Sequence, residues 1–298
     1  MPLLALLLKA IMAKARRSLP SCHTKCGVLV SGVGAFGQRK KMIRKPKIAI
    51  ESITGCAGCQ LNIYFLEDIL LDLADKVEIV SARMIKGRNE YVGKCDYIFV
   101  EGSVCCEEDL EDLKKWREQA KFLVALGTCA THGNMQQMKN LMNKKEVEKE
   151  AYKDTKHLHS LDPTPIHKHV TVDYSLSGCP PYRGEILRFV KDIILGNKPK
   201  VWQHFVCEEC VFKENNCLLE QGKDCLGPLT RGGCQALCPS VNHPCTGCHG
   251  PLDDANICSG IDLLKEKGID VKRISQMMEK YAGLRYEELK KEVKCQKK

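Results

Sequence analysis

The chain has 298 residues, of which 44% are hydrophobic and 28% are charged. These values are typical of a globular protein large enough for two domains, and they exclude a disordered tail or a fibre. The net charge of +9 is spread between the two ends of the chain, and aromatic residues make up only 6%. Neither feature favours a protein that binds nucleic acid by stacking its bases.

Cysteine departs most from an average composition, with 19 residues. The number is odd, and a chain of this length needs no disulfide bonds to support a small core. The apolar run 3–8 precedes the nearby positive charges, the reverse of the order in a secretory signal, and it is too short to span a membrane. We therefore expect a cytoplasmic protein without a membrane span, whose cysteines bind metal.

Residues 1–45 form a poorly patterned N-terminal extension. The segment 32–37 has the GxGxxG spacing of a dinucleotide-binding loop, but a basic run ending at Pro46 follows it instead of an amphipathic helix. We interpret the extension as a flexible arm and consider Met42 an alternative start of the protein.

Residues 46–199 alternate between strand-like and helix-like segments, which predicts a parallel sheet with right-handed crossovers. The predicted strands are 47–51, 77–80, 96–100, 122–126 and 170–172, and the predicted helices are 61–74, 107–119 and 183–195. The stretch 140–169 interrupts this pattern and is interpreted as an inserted surface lobe. Its four histidines are expected in solvent rather than on a metal: His157, His159, His167 and His169.

Four cysteines follow predicted strands of this sheet: Cys56, Cys59, Cys129 and Cys179. Because the carboxyl ends of parallel strands share one edge, we expect the four thiols to meet there. Four thiolates suit a [4Fe–4S] cluster, and a tetrahedral zinc ion is the alternative. Cys105 and Cys106 belong to the same edge, and we place them outside the ligands because the set of four is complete.

The composition changes after residue 199, and eight cysteines follow within 42 residues. They divide into two sets of four: Cys207, Cys210, Cys217, Cys225 and then Cys234, Cys238, Cys245, Cys248. The stretch 201–260 has little apolar periodicity, so we expect metal to supply its folding energy. Prolines, glycines and acids stand where a zinc ribbon would have strands, which favours iron–sulfur clusters. Cys258 lies outside both sets, and 261–298 is predicted to be charged helix.

Five motifs in this order resemble those of the small, electron-transferring subunits of [NiFe] hydrogenases, over residues 47–260. They are Thr54-Gly55-Cys56-Ala57-Gly58-Cys59, Val100-Glu101-Gly102-Ser103, Gly127-Thr128-Cys129-Ala130, Gly178-Cys179-Pro180-Pro181 and Pro244-Cys245-Thr246-Gly247-Cys248. The stretch 207–228 is most similar to the cytoplasmic methanogen-type group, which includes F420-non-reducing and F420-reducing hydrogenases. The related quinone-oxidoreductase subunit of complex I shares the sheet and a cysteine pair but lacks the eight-cysteine tail.

The resemblance implies a flavodoxin-like domain over 46–199 and a small, loop-rich, ferredoxin-like iron–sulfur domain with C-terminal helices over 200–298. It implies three [4Fe–4S] clusters. The proximal cluster is assigned to Cys56, Cys59, Cys129 and Cys179, the distal cluster to Cys207, Cys210, Cys217 and Cys225, and the medial cluster to Cys234, Cys238, Cys245 and Cys248. Cys207 stands where periplasmic relatives have a histidine, and Gly55 where they have an acid. Many relatives have only three medial cysteines.

Such a subunit would carry electrons from H2 oxidation at the Ni–Fe site of a large-subunit partner to an iron–sulfur or flavin acceptor. An F420-non-reducing, heterodisulfide-reductase-linked type is favoured over an F420-reducing type, and no residue of this chain is required as a catalytic group. Glu101 is interpreted either as a proton-exit group or as an acceptor of backbone hydrogen bonds. Two further hypotheses are a zinc-stabilised nucleic-acid binder and a stand-alone ferredoxin-like carrier.

Overall fold

The computed structural model describes residues 44–66, 69, 72–73, 75–84, 93–156 and 160–292. The GxGxxG spacing at 32–37, Met42, His157 and His159 lie outside these residues. The residues from Arg44 onward cluster as one compact unit, within which the division near residue 199 stays a prediction.

Five parallel strands form a sheet with the order β2-β1-β3-β4-β5, the order of flavodoxin-like folds. The strands are β1 (Lys47–Ser52), β2 (Glu78–Ala82), β3 (Cys95–Glu101), β4 (Ala120–Leu126) and β5 (Tyr174–Leu176). Because helices cover both faces of the sheet, β1 and β3 are buried along most of their length. The predicted α/β class with a parallel sheet is confirmed.

The last strand lies at Tyr174–Leu176, and its predicted position at 170–172 is wrong. Asp173 fixes where the pairing with β4 begins. Its backbone N–H donates to the Leu123 carbonyl over 2.9 Å, and its carboxylate accepts from the Leu123 N–H over 2.7 Å. The β-branched residues at 170–172 favour a strand by propensity, but contacts with the neighbouring strand decide which residues form it.

Helices connect the strands and continue beyond the sheet. They are α1 (Gly58–Tyr64), α2 (Glu107–Gln119), α3 (Gly127–His132), α4 (Lys144–Ala151), α5 (Arg183–Leu195), α6 (Val206–Phe212), α7 (Leu237–Ser240), α8 (Ile257–Glu266) and α9 (Val271–Glu292). Short 3-10 helices cover Asn134–Leu141 and Ile166–Lys168. The bounds of α2 and α5 match their predictions, whereas α1 begins three residues before the predicted start. Among the helices of the described residues, none combines the length and apolar character needed to cross a membrane.

The sheet is enclosed by two apolar layers. On one face, α5 packs Ile186 and Phe189 against the strands, and the ring of Phe189 meets that of Phe99 edge-on at 5.9 Å. On the other face, α2 buries Leu113 and Trp116. These layers hold the carboxyl ends of the strands, and the cysteines that follow them, in fixed positions.

A third apolar core lies in the cysteine-rich part, although the little apolar periodicity of 201–260 predicts that metal supplies the folding energy there. Leu226 and Leu229 are buried there together with Met278 and Tyr286 of α9. The long C-terminal helix therefore supplies apolar surface that the cysteine-rich loops lack.

The helix α9 also packs against the α/β part. It lies along the 3-10 helix Asn134–Leu141, where the Gln137 side chain donates to the Tyr281 carbonyl over 3.2 Å. Near its other end, Glu288 forms an ion pair of 2.6 Å with Lys168. One helix thus contacts both the sheet layers and the cysteine-rich core.

Candidate metal centres

The four cysteines predicted at the carboxyl edge of the sheet do lie together. Cys56 and Cys59 follow β1. Cys129 lies in α3, directly after β4, and Cys179 follows β5. The pKa of the Cys59 thiol is raised by burial first, then by Glu101 and by the other three thiols, so the four groups interact electrostatically. We name this group the proximal set.

Gly127 permits a close approach within the proximal set. Its φ is +85°, and a side chain at this position would overlap the sulfur of Cys59. Only glycine meets both requirements without strain.

Glu101 lies behind the same cysteine and is 1% exposed. Its carboxylate accepts hydrogen bonds from the backbone N–H groups of Cys59, over 3.3 Å, and Gln60, over 3.0 Å. These contacts support the interpretation of Glu101 as an acceptor of backbone hydrogen bonds. They also satisfy two N–H groups in the first turn of α1, which otherwise have no partner within the helix.

Asn134 is a site residue that sequence reasoning missed. Its side-chain amide lies 3.2 Å from the sulfur of Cys129 and 3.4 Å from that of Cys179, and it donates to both. A donor between two sulfurs stabilises their thiolate forms. The backbone of Asn134 is left-handed, with φ of +50°, which asparagine tolerates better than most residues. This tolerance of asparagine for left-handed backbone is the only local feature of the sequence that could have indicated Asn134.

The first four cysteines of the C-terminal region also form one group, which we name the distal set: Cys207, Cys210, Cys217 and Cys225. Burial raises the pKa of Cys207 to about 12, and the other three thiols add to the effect. Gly227 separates two of the sulfurs. An added Cβ there would lie 3.0 Å from the sulfur of Cys207 and 3.5 Å from that of Cys225.

The last four cysteines line a common cavity of about 290 Å³ and form the medial set: Cys234, Cys238, Cys245 and Cys248. Burial raises the pKa of Cys234 to about 12 and that of Cys248 to about 11. Cys179 of the proximal set lines the same cavity. The medial set therefore lies next to the proximal set.

The three sets fit iron–sulfur clusters. In a four-iron cluster each thiolate binds a different iron, so the sulfurs lie farther apart than four ligands of one zinc ion. Sulfur donors gathered in sets of four, with amide groups aimed at some of them, suit such a cluster.

Comparison with known proteins decides the family. The family model described as NADH ubiquinone oxidoreductase, 20 Kd subunit, matches residues 56–193. The chain is 39% identical to sulfhydrogenase 2 subunit delta of Pyrococcus furiosus over 222 residues, which cover 74% of this chain and 92% of that protein. It is 33% identical to a vhu subunit of the F420-non-reducing hydrogenase of Methanocaldococcus jannaschii, over 70% of this chain and 82% of the relative.

The chain belongs to the family of [NiFe] hydrogenase small subunits. The family resemblance stated from the motifs is thereby confirmed. Among solved structures, a chain of an NAD+-reducing [NiFe] hydrogenase in the H2-reduced state is 32% identical, with a TM-score of 0.48. The similarity covers 53% of this chain and 96% of that chain.

In this hydrogenase small subunit, Glu209 organises the loop that carries Cys234. The buried carboxylate accepts hydrogen bonds from the backbone N–H groups of Gly233, over 2.7 Å, and Ala236, over 2.9 Å. It also lies 3.1 Å from the His204 ring nitrogen. Sequence reasoning passed over this acid, although its place between the first two distal cysteines is a visible signal.

Three further cysteines of the hydrogenase small subunit lie elsewhere among the described residues: Cys105, Cys106 and Cys258. Cys105 lies beside the Ser103 hydroxyl at 3.5 Å, and its backbone N–H donates to Asp109 over 2.9 Å. Cys106 is the residue that precedes α2, and Cys258 lies in the first turn of α8. Their exclusion from the ligand sets stays a prediction.

Of the two histidines of the inserted lobe that lie among the described residues, His169 contacts the Thr164 hydroxyl over 2.7 Å.

Two histidines make the stability of the protein depend on pH. Burial, with Arg231 as the next cause, lowers the pKa of both His132 and His249 to about 3. An unfolded histidine takes up a proton below about pH 6.5, whereas these two stay neutral in the folded protein down to about pH 3. The free energy of unfolding should therefore fall as the pH is lowered from about 6.5 toward about 3. The decrease is up to about 1.4 kcal/mol per pH unit for each of the two histidines.

The measurement is the thermal unfolding temperature of the complex between about pH 7 and pH 5, because the slope develops below the unfolded pKa of about 6.5. His132→Gln should make this temperature less dependent on pH, and the same substitution of the exposed His243 should leave the dependence unchanged. Equal slopes in the two variants would contradict the assignment.

Proposed function

We propose that this chain carries electrons between a hydrogenase large subunit and an electron-acceptor protein, through three [4Fe–4S] clusters. The observation that carries the proposal is the grouping of twelve cysteines into three sets that neighbour one another in series. Cys179 of the proximal set lines the medial cavity, and Cys225 of the distal set lies 3.3 Å from the backbone nitrogen of Cys245.

The ligands proposed for the clusters are the three sets as defined above. A [4Fe–4S] cluster supplies reversible one-electron transfer when it is bound by four thiolates. The protein buries the cluster, which favours the redox state of the cluster with the lower net charge. It also supplies hydrogen-bond donors to the sulfurs, such as Asn134, which favour the reduced form of the cluster. Because burial raises the pKa of thiols such as Cys207 and Cys234, these cysteines are protonated without a cluster. Binding of a cluster must therefore release their protons.

The large subunit is proposed to hold the Ni–Fe site and to cover the edge of the sheet that bears the proximal set. There, each H2 molecule yields two protons and two electrons, and the electrons enter this chain one at a time. Cys56 and Cys179 are exposed at this edge, and Met135, next to Asn134 in the sequence, is 55% exposed. A tight, apolar contact would exclude solvent from these groups.

The acceptor is proposed to bind beside the distal set. Val211 and Phe212, at the end of the helix that carries two distal cysteines, are 76% and 87% exposed. Val241 is 71% exposed, and its segment is joined to theirs by the hydrogen bond from Asn215 to Ser240, 3.1 Å. Exposed apolar groups of this kind are typical of protein interfaces.

The acceptor we favour is an iron–sulfur protein of a heterodisulfide reductase complex, in the cytoplasm, over a flavin subunit that reduces F420. Support comes from the similarity to relatives named F420-non-reducing hydrogenase. It also comes from a cysteine content that suits a reducing compartment.

The test is metal analysis of the native complex purified without oxygen. Three clusters predict about twelve irons and twelve acid-labile sulfides in this chain, with one nickel in a co-purifying large subunit. Two or three zinc ions without sulfide would overturn the proposal and favour the nucleic-acid-binding alternative. Iron and sulfide without nickel would instead favour a stand-alone carrier.

A further inference from the structure

Asn134 presents the donor half of its side-chain amide to the proximal set. The amide nitrogen lies 3.2 Å from the sulfur of Cys129 and 3.4 Å from that of Cys179. A thiolate bound to iron carries no proton, so it can only accept a hydrogen bond. The two contacts therefore require the NH2 group, and not the amide oxygen, to face the sulfurs.

The conformation of Asn134 is unfavourable for stability in two respects. The residue is 4% exposed, and its side-chain oxygen has no hydrogen-bond partner among the described residues. Its backbone is left-handed, with φ of +50°. An apolar side chain would avoid the unpaired oxygen, and glycine would avoid the backbone strain. Because costs of this kind concentrate at functional sites, we ascribe the amide at this position to the action of its nitrogen on the sulfurs.

The segment that carries Asn134 is anchored on both sides of this residue. Before it, the N–H of Gly133 donates to the Cys129 carbonyl over 2.9 Å. After it, the buried side chain of Gln137 donates to the Tyr281 carbonyl of α9 over 3.2 Å. The turn is closely packed, because a Cβ added at Gly133 would lie 3.2 Å from the Cβ of Gln137. The fold therefore holds the donor in place, so that it need not reorganise when the charge beside it changes.

The polar groups around the proximal set are distributed unevenly. The donor of Asn134 faces Cys129 and Cys179, whereas the buried carboxylate of Glu101 lies behind Cys59 and accepts from its N–H over 3.3 Å. Cys179 also lines the medial cavity. The donor therefore acts on the part of the proximal set that borders the medial set.

We infer that Asn134 sets the reduction potential of the cluster at the proximal set through its two hydrogen bonds to ligand sulfurs. The inference rests on the proposed function, since it requires a cluster there, and it names the residue that controls electron entry. Each such bond stabilises the extra negative charge of the reduced cluster and so raises its potential. One electron passes from the Ni–Fe site, which is oxidised, to the cluster, which is reduced. Asn134 makes this step more favourable.

The test is the midpoint potential of the proximal cluster, followed by EPR during a redox titration of the anaerobically purified complex. Asn134→Gly removes the donor and suits the left-handed backbone. Asn134→Leu removes the donor and fills a similar volume with apolar atoms. We expect the potential to become more negative in both variants, by about 59 mV. This shift is a tenfold change in a one-electron equilibrium, as for the loss of two hydrogen bonds.

Asn140 provides the matched control. It lies in the same 3-10 helix, and its side-chain amide donates to the Pro163 carbonyl over 2.8 Å. Asn140→Gly and Asn140→Leu remove an amide that bonds to a backbone carbonyl instead of a sulfur, so the proximal potential should stay unchanged. Equal shifts at the two positions would overturn the inference. So would an unchanged potential in either Asn134 variant that retains its full iron content.

Iron and sulfide analysis separates these outcomes from failure of the proposed function. If the wild-type complex has no cluster at the proximal set, the proposed function itself fails. If one Asn134 variant loses about four irons, the potential of the other variant decides. If both variants lose them while the Asn140 variants keep them, Asn134 is needed for assembly of the cluster and not for its potential, and the inference is overturned.

Discussion

Replacing Cys234 and Cys238 together by alanine should lower the iron content of the hydrogenase small subunit from about twelve to about eight atoms. Both thiols line the medial cavity. On the proposed ligand assignment, one cluster then loses two of its four ligands while the proximal and distal sets keep all of theirs. The measurement is iron and acid-labile sulfide per chain, together with EPR spectra of the reduced complex. The spectra should retain the signals of two clusters.

A second double substitution tests how the eight C-terminal cysteines are divided between the distal and medial sets. Cys217→Ala combined with Cys238→Ala removes one ligand from each of two sets and should disturb two clusters. Cys106→Ala, outside all three sets, should leave the iron content unchanged. The assignment to distal and medial sets would be contradicted by the opposite result. In that result, the substitution of Cys234 and Cys238 would remove two clusters, and the substitution of Cys217 and Cys238 would remove only one.

Gly127→Ala should prevent assembly of the proximal cluster. The new methyl group would occupy the place of the Cys59 sulfur, and the positive φ adds backbone strain of about 1–2 kcal/mol. The Cys59 sulfur would therefore have to move from its position beside the other three sulfurs of the proximal set. We expect loss of about four irons and of the EPR signal of the proximal cluster, measured in the purified complex.

Gly196→Ala is the control for backbone strain. Gly196 follows α5 with φ of +72°, and an added Cβ meets no atom of the described residues within 4 Å. It should lower the unfolding temperature slightly and leave all iron in place. If Gly127→Ala keeps its iron as Gly196→Ala does, the close packing at Cys59 has no part in cluster assembly.

The sequence was sufficient to predict the sheet and the cysteines at its edge. Period and composition located four of the five strands, because buried parallel strands are continuous apolar runs. The position of β5 escaped this reasoning because the side chain of Asp173, which bonds to Leu123 on a strand 50 residues earlier, determines where pairing begins. Propensity at 170–172 carries no information about such a partner.

The surroundings of the sulfurs were less accessible to prediction. Glu101 is 42 residues from Cys59, and Thr128 is 120 residues from Cys248, yet each is in direct contact with its partner. Residue type gave two interpretations of Glu101, and only the contacts favoured one of them. Asn134 and Glu209 went unnoticed because neither belongs to a recognised motif.

The helix α9 ties two regions together that the motifs treat as separate. The helix is kinked at Ala282, and each half contacts both regions. Met278 before the kink and Tyr286 after it lie in the core of the cysteine-rich part. The Tyr281 carbonyl before the kink accepts from Gln137, and Glu288 after it pairs with Lys168 of the α/β part. Opening either region far enough to expose its apolar core therefore requires release of the same helix. The two regions should unfold as one cooperative unit, so that a destabilising substitution in the sheet also lowers the population of molecules able to retain clusters in the cysteine-rich part.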